Sequence, residues 1–437
     1  MRFLHAADVH LDSPMRRLER YEGAPLDQIR GATRGALKNV VQTAIEESVD
    51  LVVIAGDLYD GDWKDHNTGL FFVKQAQRLI DAGIRLVVIR GNHDAASQIT
   101  KSLRLPNNAD GSEILLSEKR PDQRTFEEQG FHVIGQSFAN RHSSDDLTRH
   151  FPPPKLGLFN IGLLHTSLAG FSGHDPYHPT TPGQLNQLGY DYWALGHIHQ
   201  PGNHGDADGA PIVFSGNTQG RHVGECGPRG CYIVDVDNVD KTPRMRFVTT
   251  DSVRWHVCRF DLTDVAEVDQ VIAMTEEALR QLSDENPDRT MIVRIRVDGA
   301  TTLQDDLIRH AETILGDLRS TALQIGGDRI WIESFRDRTV APAGNWTAQD
   351  SATADAILQC LGRVMDTSDQ DSGVVSAIHD RLSKLYAKLP RDLRGCDALC
   401  GDEAVGDGSF QKDITPKEWA ERVAGLVQPM LRQRLKR

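Results

Sequence analysis

The sequence predicts an α/β protein built in layers, on three observations. Short β-branched runs recur between polar turns through the first 250 residues, helical stretches separate the first few of them, and five of the runs lead into metal-competent Asp, Asn or His side chains. The runs are RFLHAA, DLVVIAGD, RLVVIRGN, FNIGLLH, DYWALGH, PIVFSGN and CYIVDVD. All are short, apolar and bounded by turn residues, which is the pattern of buried strands.

Taken in order, RFLHAA opens the chain as a core strand and TRGALKNVVQTAIEES (33–48) carries it back as a helix. DLVVIAGD is the next strand, GLFFVKQAQRLIDAG (69–83) the next helix, and RLVVI ends on the turn RGNHD (90–94). KTPR at 241–244 marks a break, after which WHVCRFDL, a helix near 264–282, MIVRIRV, a helix near 303–318 and RIWIESF form a small separate α/β unit. TVAPAGNWTAQD then reads as a Pro/Gly/Ala-bearing linker into a helical region. There Val375, Ile378, Leu382, Leu385 and Leu389 share one helix face. The last helix starts on a capping box, Thr415 with Glu418, and Pro416 at its first position. Its apolar face is Trp419, Val423, Leu426, Val427 and Met430, with a kink at Pro429. The expected domains are 1–250, a small α/β domain over 251–337, and a helical C-terminal region over 338–437.

The chain has 437 residues, 39% apolar and 25% charged, which is globular composition with room for two or three cores. Cys226, Cys231, Cys258, Cys360, Cys396 and Cys400 lack paired C-x-x-C spacing and read as reduced thiols of a cytoplasmic protein. The start MRFLHAADVH lacks the long apolar stretch of a signal peptide, and no apolar run reaches the length of a membrane span. A net charge of −13 excludes coating nucleic acid by bulk electrostatics. It does not exclude a nuclease, because bound cations rather than lysines can face the phosphate.

The strand ends carry the chemistry. They are Asp8-Val9-His10, Gly56-Asp57, Gly91-Asn92-His93-Asp94, His165, and Gly196-His197-Ile198-His199. Any one alone reads as a surface turn. Together they fit the rule that open α/β sheets bind ligands beyond the carboxyl ends of their strands. Carboxylates and imidazoles with one amide and no cysteine suit Mn, Fe or Zn in mixed N/O coordination. Two Asp, four or five His and one Asn are too many ligands for one ion, so two divalent metals are the economical reading.

D-x-H, G-D-x-x-D, G-N-H-D, H and G-H-x-H, in that order, resemble the calcineurin-like metallophosphoesterase superfamily. The resemblance covers roughly the first 250 residues and implies two sheets packed as a sandwich and flanked by helices, with the small α/β unit as a capping domain. It implies Asp8, His10 and His199 on one metal, Asn92, His165 and His197 on the other, and Asp57 bridging. It also implies hydrolysis in which a metal-bound hydroxide attacks phosphorus and His93 stabilises charge or protonates the leaving oxygen. Asp94 either orients His93 or caps the turn.

MRFLHAADVHLDSP, GDLYD, SGHDPYHPTTPGQLNQLGYDYWALGHIH and FSGNTQGR further resemble SbcD-like DNA repair exonucleases, in particular the YhaO-like branch. This implies manganese as the metal, DNA as substrate, an SbcC-like coiled-coil ATPase docking on the C-terminal helices, and a homodimer. Asp12-Ser13-Pro14 departs from SbcD itself. Asp60 stands where archaeal relatives carry a second histidine, so it reads as a loop or supporting group. Arg294 and Arg296 either contact phosphate or form a solvated face. Two rival readings use the same residues: a phosphatase or small phosphodiesterase, and a non-catalytic scaffold binding DNA ends or a partner. The presence of His93, which a purely structural cage does not need, argues against the scaffold.

Overall fold

The computed structural model describes residues 1–13, 25–60, 66–96, 103–140, 146–168, 180–206, 209–340 and 342. The helical region expected beyond residue 342, with Cys360, Cys396 and Cys400, lies outside the described residues.

The first strands are β1 (Arg2–Ala6), β2 (Leu51–Ala55) and β3 (Arg85–Ile89), joined through α1 (Leu26–Glu46) and α2 (His66–Asp81). A one-turn helix, α3 (Asn92–Ala96), stands where the sequence suggested only a turn. A second series follows: β4 (Asp122–Phe126), β5 (Phe131–Gly135), β6 (Phe159–His165), α4 (Pro182–Gln187), β7 (Tyr192–Gly196), β8 (Gly202–Asn203) and β9 (Ile212–Phe214). β10 (Gly230–Val236) and β11 (Pro243–Thr249) complete the first sheet as a hairpin. KTPR is therefore no break. Lys241 takes a left-handed turn conformation and Pro243 already pairs with Val236.

One sheet has the order β11-β10-β1-β2-β3 and the other β4-β5-β6-β7-β9-β8. β1, β2 and β3 are parallel, as are β5, β6, β7 and β9, so each set presents its carboxyl ends on one edge. Alternation along β1 makes the layers. Leu4 and Ala6 pack toward Leu37, Val40 and Phe72 of the helices, while Phe3 packs between the sheets against Phe131 and Tyr192. The outer face of the second sheet buries Leu164, Trp193 and Leu195 with Leu185 of α4. Two sheets flanked by helices are the result, as the sequence predicts.

Beyond them are β12 (Val253–Asp261), α5 (Val268–Glu285), β13 (Thr290–Asp298), α6 (Gln304–Arg309), α7 (Ala311–Gly326) and β14 (Ile330–Asp337). Their three strands form a sheet ordered β12-β13-β14. Two compact units are present: Met1–Val257 takes in Leu279–Arg294 and Thr321–Glu333, while Cys258–Ala278, Ile295–Ser320 and the described chain from Ser334 form the second. In the first unit Val253, Trp255, Ile292 and Trp331 pack with Ile29 and Ala32 of α1. Arg294 is tied to Glu333 at 2.9 and 3.0 Å, and Arg296 to Asp298 at 2.9 to 3.1 Å. No helix of the described residues is long and apolar enough to cross a membrane. Cys226, Cys231 and Cys258 form no disulfide among the described residues.

Candidate metal centre

The carboxyl ends of the two sheets meet. Ala55 at the end of β2 offers its carbonyl to His165 Nδ1 at 2.9 Å, and the His197 N–H donates to both Asp8 oxygens at 3.0 and 3.1 Å. Such an approach leaves no room for side chains at the junction. A Cβ on Gly196 would collide with the Ala55 carbonyl, and one on Gly91 with the Asp57 carboxylate. Gly91 is thus required for closeness rather than for a sharp turn.

Among the described residues, seven that are not glycine have positive φ. Five lie at these strand ends: Asp8 (49°), His10 (45°), Asp12 (57°), Asp57 (51°) and His197 (99°). Left-handed backbone costs an L-residue roughly 1–2 kcal/mol. Such a concentration of strain marks segments held in place by their surroundings.

The structure brings three groups of possible ligands within 4.8 Å of one another: Asp8, His10 and His199; Asp8, Asp57 and His165; and His10, Asp60 and His93. His165 Nε2 lies 3.0 Å from Asn92 Oδ1 and 3.4 Å from Asp57 Oδ2, and the His197 ring stands edge-on to His165 with centroids 5.3 Å apart. His10 Nε2 faces His199 Nε2 at 3.2 Å and Asp57 Oδ2 at 3.8 Å. All seven sequence-predicted ligand residues therefore sit in one cluster.

The hydrogen bonds around the cluster set which ring nitrogens face into it. His165 Nδ1 donates to the Ala55 carbonyl, so Nε2 is left as a lone pair aimed at two acceptor oxygens. His199 Nδ1 donates to Glu225 Oε1 at 2.6 Å, leaving Nε2 aimed at another imidazole nitrogen. Buried lone pairs converging on one another repel unless a cation stands among them. In the protein alone a proton takes that part: burial pulls His165 down, but Asp57 outweighs it and lifts the imidazole to about 9. Burial pushes Asp57 up, yet His165, His93 and His10 hold its carboxyl well below the usual carboxylate range. Burial raises Asp8 and drops His10 to about 3. A set of carboxylates, imidazoles and one amide, with ring tautomers locked from behind, fits divalent cations.

A model of the calcineurin-like phosphoesterase family matches residues 1–201, and a model of the middle domain of metallophosphoesterase YhaO matches residues 255–340. The uncharacterized metallophosphoesterase YhaO of Bacillus subtilis is 32% identical over 283 residues, covering 64% of this chain and 68% of that one. The chain belongs to the YhaO-like branch of the calcineurin-like metallophosphoesterases. The DNA double-strand break repair protein Mre11 of Methanopyrus kandleri is 25% identical over 234 residues, and its namesake in Saccharolobus solfataricus 27% over 219. Each match covers 50% of this chain; the chain spans 49% of the first relative and 54% of the second.

Within this metallophosphoesterase site, of the two roles expected for Asp94 the geometry favours capping the turn over orienting His93. Asp94 accepts the backbone N–H groups of Leu58, Tyr59 and Gly91 at 2.8 to 3.0 Å, clamping the turn after β2 to the start of α3. Neighbours in a helix point about 100° apart, so adjacency in sequence turns Asp94 away from the His93 ring. Asp60 takes that place, with Oδ1 3.0 Å from His93 Nδ1 and Oδ2 accepting the Ser13 hydroxyl at 2.7 Å. Burial pulls His93 down, but Asp60 and the charge of Asp57 outweigh it and raise its pKa.

Sequence reasoning also missed Glu225, which is buried behind His199 and fixed by Asn217 Nδ2 at 3.0 Å and the Arg221 N–H at 2.7 Å. Its signal was FSGNTQGR followed four residues later by a carboxylate, which means nothing until the loop folds back on the G-H-x-H turn.

Proposed function

We infer that this metallophosphoesterase hydrolyses phosphodiester bonds of DNA. The observation that carries the hydrolytic reading is the convergence of locked imidazole lone pairs on Asp8, Asp57 and Asn92 beside a non-ligand histidine. The DNA reading is supported by the break-repair relatives, matched over half of their length.

Asp8, His10 and His199 would hold one divalent cation, and Asn92, His165 and His197 the other, with Asp57 between them. Manganese is the proposed metal. Two such cations would polarise the phosphate oxygens and make a water nucleophilic at neutral pH. The protein's own groups do the rest. His93 keeps a proton on Nδ1 against Asp60, which orients the opposite nitrogen toward the leaving oxygen. Asp94 serves chemistry only by holding Gly91 and Leu58, and with them Asn92 and Asp57, in place. An SbcC-like ATPase partner and a homodimer belong to the same proposal.

The test is a comparison, with Mn²⁺ and the full chain, of nucleotide release from linear duplex DNA against turnover of bis(p-nitrophenyl) phosphate and p-nitrophenyl phosphate. Cleavage of DNA is expected. Turnover of the small esters alone would make the protein a small phosphodiesterase or phosphatase on the same site. Absence of all three activities, with metal bound and an ATPase partner present, would favour the scaffold.

A further inference from the structure

The floor and the rim of the site differ. Asp8, His10, Asp57 and His165 are buried, whereas the part-exposed groups are His93, His199, His222 and Arg221, with Asp60 among them. Of these groups in a chain of net charge −13, Arg221 alone carries a fixed positive charge.

Arg221 and His222 are the members with no task in the reading above, and Arg221 is the one permanently charged. Its side chain is only 17% exposed. What it receives in exchange is poor: Nη1 reaches Ser13 Oγ only at 3.4 Å and Asp60 Oδ2 at 4.0 Å, Nη2 reaches Glu225 Oε1 at 3.6 Å, and Nε has no hydrogen-bond partner. Good arginine–carboxylate bonds are about 2.7–2.9 Å and paired. The chain shows it can make them elsewhere, as Arg294 does with Glu333 at 2.9 and 3.0 Å.

The loop beneath Arg221 is rigid. Asn217, Thr218 and Gln219 are buried, Gln219 is bonded to the backbone of Ser252 and Val253, and Trp255 Nε1 holds the Gly220 carbonyl at 3.1 Å. A mostly buried guanidinium carried on a loop held in this way, with its donors unspent, suits an oxyanion.

The geometry points to Arg221 as a ligand for a non-bridging oxygen of the substrate phosphate, approaching across Asp60 from His93. This assigns the FSGNTQGR segment a substrate role and rests on the phosphoester reading of the site, though not on DNA being the substrate.

The experiment uses the full chain saturated with Mn²⁺. Orthophosphate affinity is measured by calorimetry, and KM and kcat with bis(p-nitrophenyl) phosphate, for wild type, Arg221→Gln and Arg221→Lys, alongside metal content. Loss of a charged hydrogen bond predicts orthophosphate affinity about 10- to 100-fold weaker in Arg221→Gln, KM raised in step, Mn²⁺ content unchanged, and partial rescue by Arg221→Lys. Wild-type phosphate affinity in Arg221→Gln overturns the proposal. So does weakened affinity that tracks lost Mn²⁺ in both variants, because the arginine would then only brace Glu225 and Asp60. If Arg221→Gln does not fold, Arg221→Lys decides, and wild-type KM and phosphate affinity there overturn the proposal. A wild type that binds phosphate through Arg221 yet leaves DNA intact would end the DNA reading and leave this one standing. DNA cleavage with phosphate affinity indifferent to Arg221 would do the reverse.

Discussion

The body of β1 and the residues just after it each contain a histidine with no surface to speak of, and the two could hardly be treated more differently. His5 is buried within the strand, with Nε2 on the Leu195 carbonyl at 3.2 Å and Nδ1 on the Tyr192 hydroxyl at 3.1 Å. His10 is equally buried on left-handed backbone, with Nδ1 no closer than 3.7 Å to the Asp60 carboxylate and Nε2 set against another imidazole. Burial drops both to about 3. Burial therefore does not separate a core histidine from a site histidine. The supply of partners does: a satisfied ring stabilises the fold, while an unsatisfied one waits for something the chain does not contain.

The severest way to break this contrast is at the shared carboxylate. Asp57→Asn should reduce hydrolysis to background and strip metal from the protein, read by elemental analysis after gel filtration, while His5→Gln should keep full metal content. Equal metal in Asp57→Asn and wild type would remove Asp57 from the centre. One step outward, Glu225→Gln weakens the lock on the His199 ring and should lower Mn²⁺ affinity about 10- to 100-fold in a metal titration, with the melting temperature little changed.

Two carboxylates near His93 sharpen it further. Asp60→Asn should cut kcat with metal content intact, because it loses the ion pair at His93 Nδ1. Asp94→Ala should instead cost stability by about 3 kcal/mol or more in denaturant unfolding, since three backbone N–H groups lose their acceptor at about 1–3 kcal/mol each when buried. A melting curve for Asp94→Ala matching wild type would return Asp94 to the chemistry.

The smallest effect is on pH dependence. His5 binds its proton at about 3 in the folded chain against an ordinary 6.5, so the unfolded state takes up more protons between those values. Its stabilising contribution is present above 6.5 and is lost as the pH falls toward 3, with a slope of at most about 1.4 kcal/mol per pH unit. Subtracting the stability of His5→Gln from that of wild type should isolate this slope. A flat difference would mean that His5 is charged in the fold.

Much of the fold was legible because its signals are local. Buried parallel strands are continuous apolar runs, and RLVVI and DLVVIAGD announce themselves whatever surrounds them. The helices were placed within several residues, α1 beginning at Leu26 rather than near 33. KTPR misled because Lys, Thr and Pro suit a hairpin turn as well as a boundary, and only pairing between β10 and β11 tells them apart. One predicted helix near 303–318 is instead two, parted at His310.

By itself the sequence determined ten of the fourteen strands among the described residues, missing β4, β5, β8 and β11, that five of them lead into Asp, Asn or His, and that the ends share an edge if the strands run parallel. Tertiary structure alone decided which carboxylate stands beside His93, which glycine is there for room, and that Glu225 and Ala55 set the ring tautomers. The physical reason is range. Apolar periodicity is written within a few residues, whereas a hydrogen bond of 2.9 Å between residues 110 positions apart, such as that from His165 to Ala55, depends on how two sheets pack.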